Sequence, residues 1–278
     1  MQNRRVCYIE VQTSNGLMKR LDGLAIKGRV SRKMGSLFSE AKISAANLTQ
    51  DDVEYLSTYT SPYINPSVRK KVNIYAGYEN TGYGRIFTGE IYKALPNGMP
   101  DTWLNMDAKS LYYQQRTPLS YGVNNITTRE LAQSVATQLD LTLDWQATEA
   151  KTLDSFNFTG SQAELIKEFN QLSDVLMFED NGKLKVVDGK PKMPRGNIKL
   201  INKDTGMIGL PEPDQFGVKV KCLLDPALAC GDWIRVESVR LPALNGEYQI
   251  YTLDFDFSSR ETQFYCDIYA RRTGVYSY

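Results

Sequence analysis

Histidine is absent from the 278 residues of this chain. That absence removes Ser-His and Cys-His nucleophile pairs, histidine-ligated zinc and any histidine pH switch together. Cysteine is scarce: Cys7, Cys222, Cys230 and Cys266 are the four present, and no two of them form a C-x-x-C pair. Neither a zinc ribbon nor a thioredoxin-type redox motif is therefore encoded, and the four read as apolar filler in a reducing compartment. Apolar runs are short, none reaching the roughly 18 residues that suggest a membrane helix. The stretch from Met1 to Cys7 leads into alternating sequence without the apolar core of a secretory leader. The expectation is a soluble product of a cytoplasm with no membrane anchor, in which the Asn-x-Thr sequons at Asn47, Asn125 and Asn157 are chance matches. Excess charge is missing as well. Lys plus Arg number 33 and Asp plus Glu 32, a net charge of +1, far from the field of a general nucleic-acid or anionic-membrane binder.

What is present is length enough for about two compact units at roughly 150 residues each, and a pattern of period two. Val6 to Val11, Lys71 to Ala76 and Arg85 to Tyr92 place β-branched or aromatic residues at alternate positions, as half-buried antiparallel strands do. The last two read as a hairpin, with Gly77 to Gly84 as a connection too long for a two-residue turn. Leu37 to Leu48 alternates in part, and Leu95 to Pro100 breaks the chain before a strand around Trp103 to Met106.

The period changes in the middle. Thr127-Thr128-Arg129-Glu130 fits a capping box, followed by an apolar stripe at Leu131, Val135 and Leu139, which predicts a helix. The same grammar recurs at Ser161-Gln162-Ala163-Glu164, with Leu165, Ile166, Phe169 and Leu172 as the stripe. Shared capping chemistry is enough to explain the likeness without an internal duplication. Strands follow both helices, at Leu141 to Trp145 and at Val175 to Phe178, and Asn181-Gly182 is the strongest two-residue hairpin signal in the chain. The basic, Pro/Gly-rich run from Gly189 to Gly196 reads as a linker. Beyond it, Val218 to Leu223, Trp233 to Val239, Tyr248 to Phe257 and Gln263 to Tyr269 suggest a small antiparallel barrel or sandwich.

Candidate chemistry is sparse. Gly82-Tyr83-Gly84 invites comparison with a phosphate loop, but Phe87 stands at the sixth position of G-x-G-x-x-G, and the segment joins two strands rather than leading into a helix. Asp254 and Asp256 share one face of a strand without the rest of a calcium loop, and read as an exposed polar face opposite Leu253, Phe255 and Phe257. Arg69-Lys70-Lys71 reads as a solvated run before a strand. The 17 tyrosines suit core and interface packing better than sugar or base stacking. No catalytic, cofactor-binding or metal-ligating residue is assigned.

The stretch Asn202 to Pro213, then Phe216 to Pro226 and Gly231 to Val236, resembles the last domain of bacteriophage tail or baseplate hub proteins of the late control protein D type. Their pattern runs "tGligxPe … Gv-v-lLnP … Gd-i-v-s … nG-y-i", and Asn245 to Ile250 fits its final element. Val72 to Tyr78 and Ile86 to Ile91 resemble the "v-v-aGy … iF-G-I" pair of the same proteins. The resemblance covers most of the chain. It implies a mainly β fold with a small α+β middle segment: a tail-tube-like antiparallel β-barrel over 1–115, two short helices within 116–190, and a second such barrel over 191–278. It further implies a non-enzymatic homotrimer without cofactors that joins the sixfold tail tube, or a distal tail protein, to a threefold spike around a central channel. Tape measure and baseplate wedge proteins would be neighbours, and passing DNA would be touched only non-specifically. The expected location is the virion, after synthesis in the host bacterial cytoplasm. From the residues alone two other readings stay open: a carbohydrate-binding or cell-wall-degrading tail protein, and a barrel that binds single-stranded nucleic acid through Tyr and Arg.

Overall fold

The computed structural model describes residues 4–13, 15–57, 70–98, 102–114, 118–192 and 198–275. The first segment holds β1 (Arg5–Gln12), β2 (Met18–Leu21), β3 (Ala25–Lys33), β4 (Glu40–Ala46), α1 (Gln50–Leu56), β5 (Lys70–Tyr78), β6 (Gly82–Asn97) and β7 (Trp103–Lys109). The middle holds β8 (Pro118–Thr127), α2 (Thr128–Gln138), β9 (Thr142–Trp145), β10 (Thr152–Ser161), α3 (Gln162–Leu172), β11 (Val175–Asp180) and β12 (Lys183–Asp188). The last segment holds β13 (Lys199–Ile201), β14 (Met207–Pro213), β15 (Gly217–Leu223), β16 (Trp233–Val236), a short 3₁₀ turn (Pro242–Leu244), β17 (Gly246–Ser258) and β18 (Phe264–Arg271).

Both predicted helices are present, and each capping box is made in full. The Thr127 hydroxyl accepts from the Glu130 amide while the Glu130 carboxylate accepts from the Thr127 amide, and Ser161 and Glu164 repeat the arrangement. The Asn181-Gly182 hairpin is also present, with φ of 51° and 85°, the left-handed pair that this tight turn requires. Two details differ from the sequence reading. The connection expected over Gly77 to Gly84 shrinks to three residues, because β5 continues to Tyr78 and β6 starts at Gly82. Helix α1 has no counterpart among the sequence expectations. It is only seven residues long, and its start rests on the Thr49 hydroxyl accepting from the Asp52 amide, a cap too common in loops to stand out. Part of the expected linker, 193–197, lies outside the described residues.

The fold is mainly β. Among the described residues, thirteen strands form one sheet in the order β14-β15-β18-β17-β3-β4-β7-β6-β5-β1-β2, with β16 beside β17 and β13 beside β16. Among the described residues, no pairing closes either end segment into a barrel; β17 joins them instead. Its first half takes β16 (Gly246↔Val236 to Gln249↔Trp233) and its second half takes β3 (Thr252↔Lys33 to Ser258↔Lys27), while β18 runs along the other side. A register shift between Ile250 and Thr252 marks the change of partner, as a bulge does where a strand must bend. One apolar core consequently spans both end segments, with Val30, Ile43 and Phe87 in the same cluster as Val220, Ile250 and Phe255.

The middle segment has a two-stranded ribbon, β8 with β10, and a three-stranded sheet, β11-β12-β9, in which β9 lies parallel to β12. Helices α2 and α3 bury Leu131, Val135, Leu165 and Phe169 in a second core. All six residues of β11 are buried, because the strand has a core on each side. Leu176 and Phe178 join the large core, whereas Val175 and Met177 join the second one. A strand covered on both faces has no polar face to show, hence the unbroken run Val175-Leu176-Met177-Phe178.

Gly28 lies where β3 crosses Phe257 of β17. A Cβ there would fall 2.3 Å from the Lys42 carbonyl oxygen and 2.8 Å from Phe257 Cζ. Gly28→Ala is expected to destabilise the chain by about 1–3 kcal/mol through overpacking, read as a lower urea midpoint at unchanged slope.

Candidate assembly surfaces

The candidates raised by the sequence scatter. Gly82, Tyr83 and Gly84 begin β6 and face Tyr78, Gly77 and Ala76 across a hairpin, with no helix N-terminus for a phosphate to meet. Asp254 and Asp256 do share a face of β17, opposite buried Leu253, Phe255 and Phe257, but Asp254 is only 7% exposed. The expected solvated face is covered there because Arg29 of β3 reaches over it, Nη2 lying 2.7 Å from Asp254 Oδ2 and Nη1 3.6 Å from Asp256 Oδ2. Burial, opposed by Arg29, pushes the Asp256 carboxyl above its ordinary range.

Lys70 also departs from expectation. It is buried, donates to the Ser57 carbonyl at 3.2 Å and lies over the Tyr55 ring, and burial lowers its pKa. Its neighbour Lys71 is exposed, and Arg69 is outside the described residues. Cys222, Cys230 and Cys266 are buried free thiols, and Cys7 is half-buried with a thiol that burial pushes up to about 12. Two pairs of tyrosines stack on one another, Tyr8 on Tyr75 at 4.7 Å and Tyr92 on Tyr112 at 4.8 Å, which takes those stacked faces away from a sugar or base. Among the described residues no helix is long and apolar enough to cross a membrane.

What the sequence did not single out is a buried set of charges where the three segments meet. Arg32 of β3 is 1% exposed. Its Nε donates to the Ile86 carbonyl at 3.0 Å, its Nη1 lies 3.2 Å from Asp180 Oδ1, and its guanidinium stands over the Phe255 ring. Asp180 ends β11, and its other oxygen is 3.8 Å from Lys185 Nζ on β12. Lys185 in turn donates to the Cys230 carbonyl at 2.9 Å and to Asp232 at 3.1 Å, both in the last segment. Burial works against the charge on Lys185, yet Asp232 and Asp180 outweigh it and hold its pKa above the ordinary value.

Glu179, next to Asp180 and on the opposite face of β11, accepts from the Ser110 hydroxyl at 2.6 Å, the Ser39 hydroxyl at 3.0 Å and the Gly182 amide at 2.7 Å. Burial still pushes its carboxyl above the ordinary range, against the pull of these donors. A second buried arginine, Arg271 of β18, donates to the Gly189 carbonyl at 2.7 Å, the Asp188 carbonyl at 3.1 Å and Gln249 Oε1 at 2.8 Å. No sequence signal pairs position 32 with 180, since each sits in an ordinary alternating strand.

The described residues form a large surface groove, of about 1320 Å³. The turn after β13, strand β14, strand β16 and the start of β17 line it, bringing Asn202, Met207, Leu210, Val236, Val239 and Asn245 together. Three separate stretches of the sequence resemblance, Asn202 to Pro213, Gly231 to Val236 and Asn245 to Ile250, thus converge on one place. Its walls mix apolar with polar and charged residues, and the apolar ones are open to water, with Val239 85% and Leu210 45% exposed. The Arg235–Glu247 pair lies among the lining residues, its nitrogen and oxygen 2.5 Å apart. Exposed apolar residues set among charged ones, Lys203, Asp204, Glu237 and Arg240 besides the Arg235–Glu247 pair, are what a surface for protein contact presents.

The family model described as baseplate hub gp41 matches residues 8–270. The chain belongs to this baseplate hub family. No curated protein matches it. Among solved structures, this hub protein is similar to a tail protein from Neisseria meningitidis MC58, at 8% identity and TM-score 0.67 over 97% of this chain and 98% of that one. It is similar as well to the 43 kDa tail protein of prophage MuSo2 from Shewanella oneidensis, at 12% identity and TM-score 0.65 over 96% and 98%. A third likeness is to the Escherichia coli c3393 protein, a type VI secretion component with structural similarity to the T4 bacteriophage tail proteins gp27 and gp5. That match has 13% identity and TM-score 0.62 over 97% of this chain and 78% of that one. At such identities the likeness is one of fold, and it extends over nearly the whole hub. Family membership makes the chain a phage tail or baseplate component, and thus a part of the virion.

Two outcomes test the buried charges. Arg32→Met leaves Asp180 with Lys185 alone, and a loss of about 3–5 kcal/mol is expected in urea unfolding, the usual cost of breaking a buried pair; adding Asp180→Leu should return part of it. Because the Glu179 carboxyl is raised in the folded state, its favourable contribution is full below the unfolded value of about 4.3 and is lost as pH rises through the folded one. The stability of Glu179→Gln relative to wild type should therefore climb from about pH 4.3 upward and level off once the folded carboxyl ionises, as read from urea midpoints across pH.

Proposed function

We propose that this hub protein is a structural, non-enzymatic trimer that joins the sixfold tail tube to the threefold spike around a central channel through which DNA passes. Residues 1–115 and 191–278 act as the two tube-like units of each copy, so three copies present six such units in a ring, and 116–190 packs between them. The partners are a tail tube or distal tail protein on one side and a spike protein on the other, with tape measure and baseplate wedge proteins as neighbours. DNA meets the channel wall only non-specifically, consistent with the net charge of +1.

The observation that carries this reading is the family match over residues 8–270. Physical features agree with it. A hub transmits load between rings of different symmetry, and here the end segments share a sheet, a core and a buried ion network rather than being joined by a flexible tether. The apolar groove supplies an outward surface that water does not favour.

The test is the mass of the purified chain by light scattering across a concentration series, with and without the spike protein of the same tail. A species near three times 31.5 kDa, or one that forms once the spike is added, is the expected outcome. A monomer that persists at high concentration and ignores the spike would overturn the adaptor reading. Val239→Asp and Leu210→Asp, both on exposed positions of the groove, should leave the fold intact and weaken binding to tube or spike by about tenfold or more, measured by co-sedimentation.

A further inference from the structure

We propose that Cys222 and Cys266 are an oxidation site of the virion, a facing pair of thiols that a peroxide converts into a disulfide joining β15 to β18. The site depends on the chain's place in the virion and not on the trimer reading, so either reading can fail without the other.

No C-x-x-C spacing marks these two cysteines, because strand pairing is what brings them together. In the register of β15 and β18, Cys222 is the direct partner of Cys266. Two steps further along, the Leu224 amide donates to the Phe264 carbonyl at 3.4 Å. Hydrogen-bonded and non-bonded pairs alternate in an antiparallel ladder, so Cys222 and Cys266 are a hydrogen-bonded pair with Cα atoms about 5.5 Å apart. Disulfides span Cα separations of roughly 4.4–6.8 Å. Both side chains enter the large core, with Cys222 3% and Cys266 0% exposed, and the two thiols lie within hydrogen-bond reach of one another. The other two cysteines are placed differently: Cys7 stands opposite Ala76, and Cys230 lies outside the strands.

The surroundings decide which oxidant can act. The Asp225 amide points at Cys266 Sγ from 3.5 Å, and the nearby Arg32 and Lys199 charges favour a thiolate there, but burial outweighs them and holds the Cys266 thiol well above its ordinary pKa. Reaction is therefore slow, and it calls for an oxidant small and uncharged enough to enter an apolar core. Hydrogen peroxide meets both needs. One sulfur, as thiolate, attacks a peroxide oxygen; the O–O bond breaks, and the departing hydroxide takes up the proton that the thiol released. The second sulfur then attacks the resulting sulfenic acid, the S–S bond forms, the S–O bond breaks, and a second water leaves with the second thiol proton. The two sulfurs give up two electrons in all, and the peroxide receives them. A virion outside its host is in an oxidising medium, where such bonds form and persist.

The bond would close the loop 222–266, which contains β16, the groove residues within 237–245 and the whole of β17, the strand shared by both end segments. A cross-link around a long loop restricts the unfolded chain more than the folded one. Oxidation thus fastens the part of the sheet on which the union of the end segments depends.

The experiment takes virions purified without reductant, unfolds them in the presence of an alkylating reagent and maps the peptides of this chain by mass spectrometry. Peptides linked through Cys222 and Cys266, with no such link at Cys7 or Cys230, are the expected result; alkylated Cys222 and Cys266 overturn the proposal. Purified full-length wild type and Cys222→Ala, each treated with hydrogen peroxide while folded, give a second readout. Wild type should unfold at a higher urea midpoint that dithiothreitol returns to its starting value, and Cys222→Ala should show no dithiothreitol-reversible shift. Sulfinic acid at either position in place of the linked pair, or a bond that forms only after urea has opened the protein, also overturns the site. Should Cys222→Ala fail to fold, the wild-type midpoints before and after dithiothreitol decide.

Discussion

The structure depends on a charge that cannot reach water. Arg32 lies at the centre of the sheet, and its guanidinium must find its partners inside the protein. They come from elsewhere in the chain: the Ile86 carbonyl from β6, Asp180 from the middle segment, and beyond Asp180 the Lys185 ammonium tied to Asp232 and the Cys230 carbonyl. Taking such groups out of water costs several kcal/mol each, and only good geometry returns that cost. The three segments are therefore held in one arrangement by a penalty on every other. Apolar contacts alone would be more forgiving, because they are non-directional.

The rest of the architecture accords with that constraint. Strand β11 brings Asp180 into place and is buried on both faces, so the middle segment is built into the large core rather than hung from it. Strand β17 fuses the two end segments by changing partners along its length. Arg271 repeats the device on a smaller scale, fastening Asp188 and Gly189, which lead out of the middle segment, to the last strand. The polar groups with unusual surroundings are thus spent on holding the molecule together. The outward surfaces carry a groove with exposed apolar residues and paired charges, features that suit contact with other proteins.

Much of this was legible along the chain. Alternation gave away β1, β5, β6 and β15, and the capping boxes located α2 and α3, because those signals are local: they depend on residues two to four positions apart. Asn181-Gly182 was legible for the same reason. The glycine-rich connection after Tyr78 was misjudged because the strands carry on through Gly77 and Gly82, where positive φ is accommodated within the ladder. Lys70 and Asp254 were read as solvated because a charged residue at an alternate position usually is. Here neighbours distant in sequence, Ser57 with Tyr55 in one case and Arg29 in the other, cover them.

The sequence by itself determined the class of fold, the places of α2 and α3, the lack of histidine chemistry, and the family, since order and spacing of short motifs survive in one dimension. Tertiary structure decided that the end segments form one sheet with one core, that Arg32, Asp180, Lys185 and Asp232 make one ion system, and that three motif stretches line one groove. The physical reason is that strand alternation separates two faces without saying what each face meets. That choice belongs to long-range pairing, which no local pattern records.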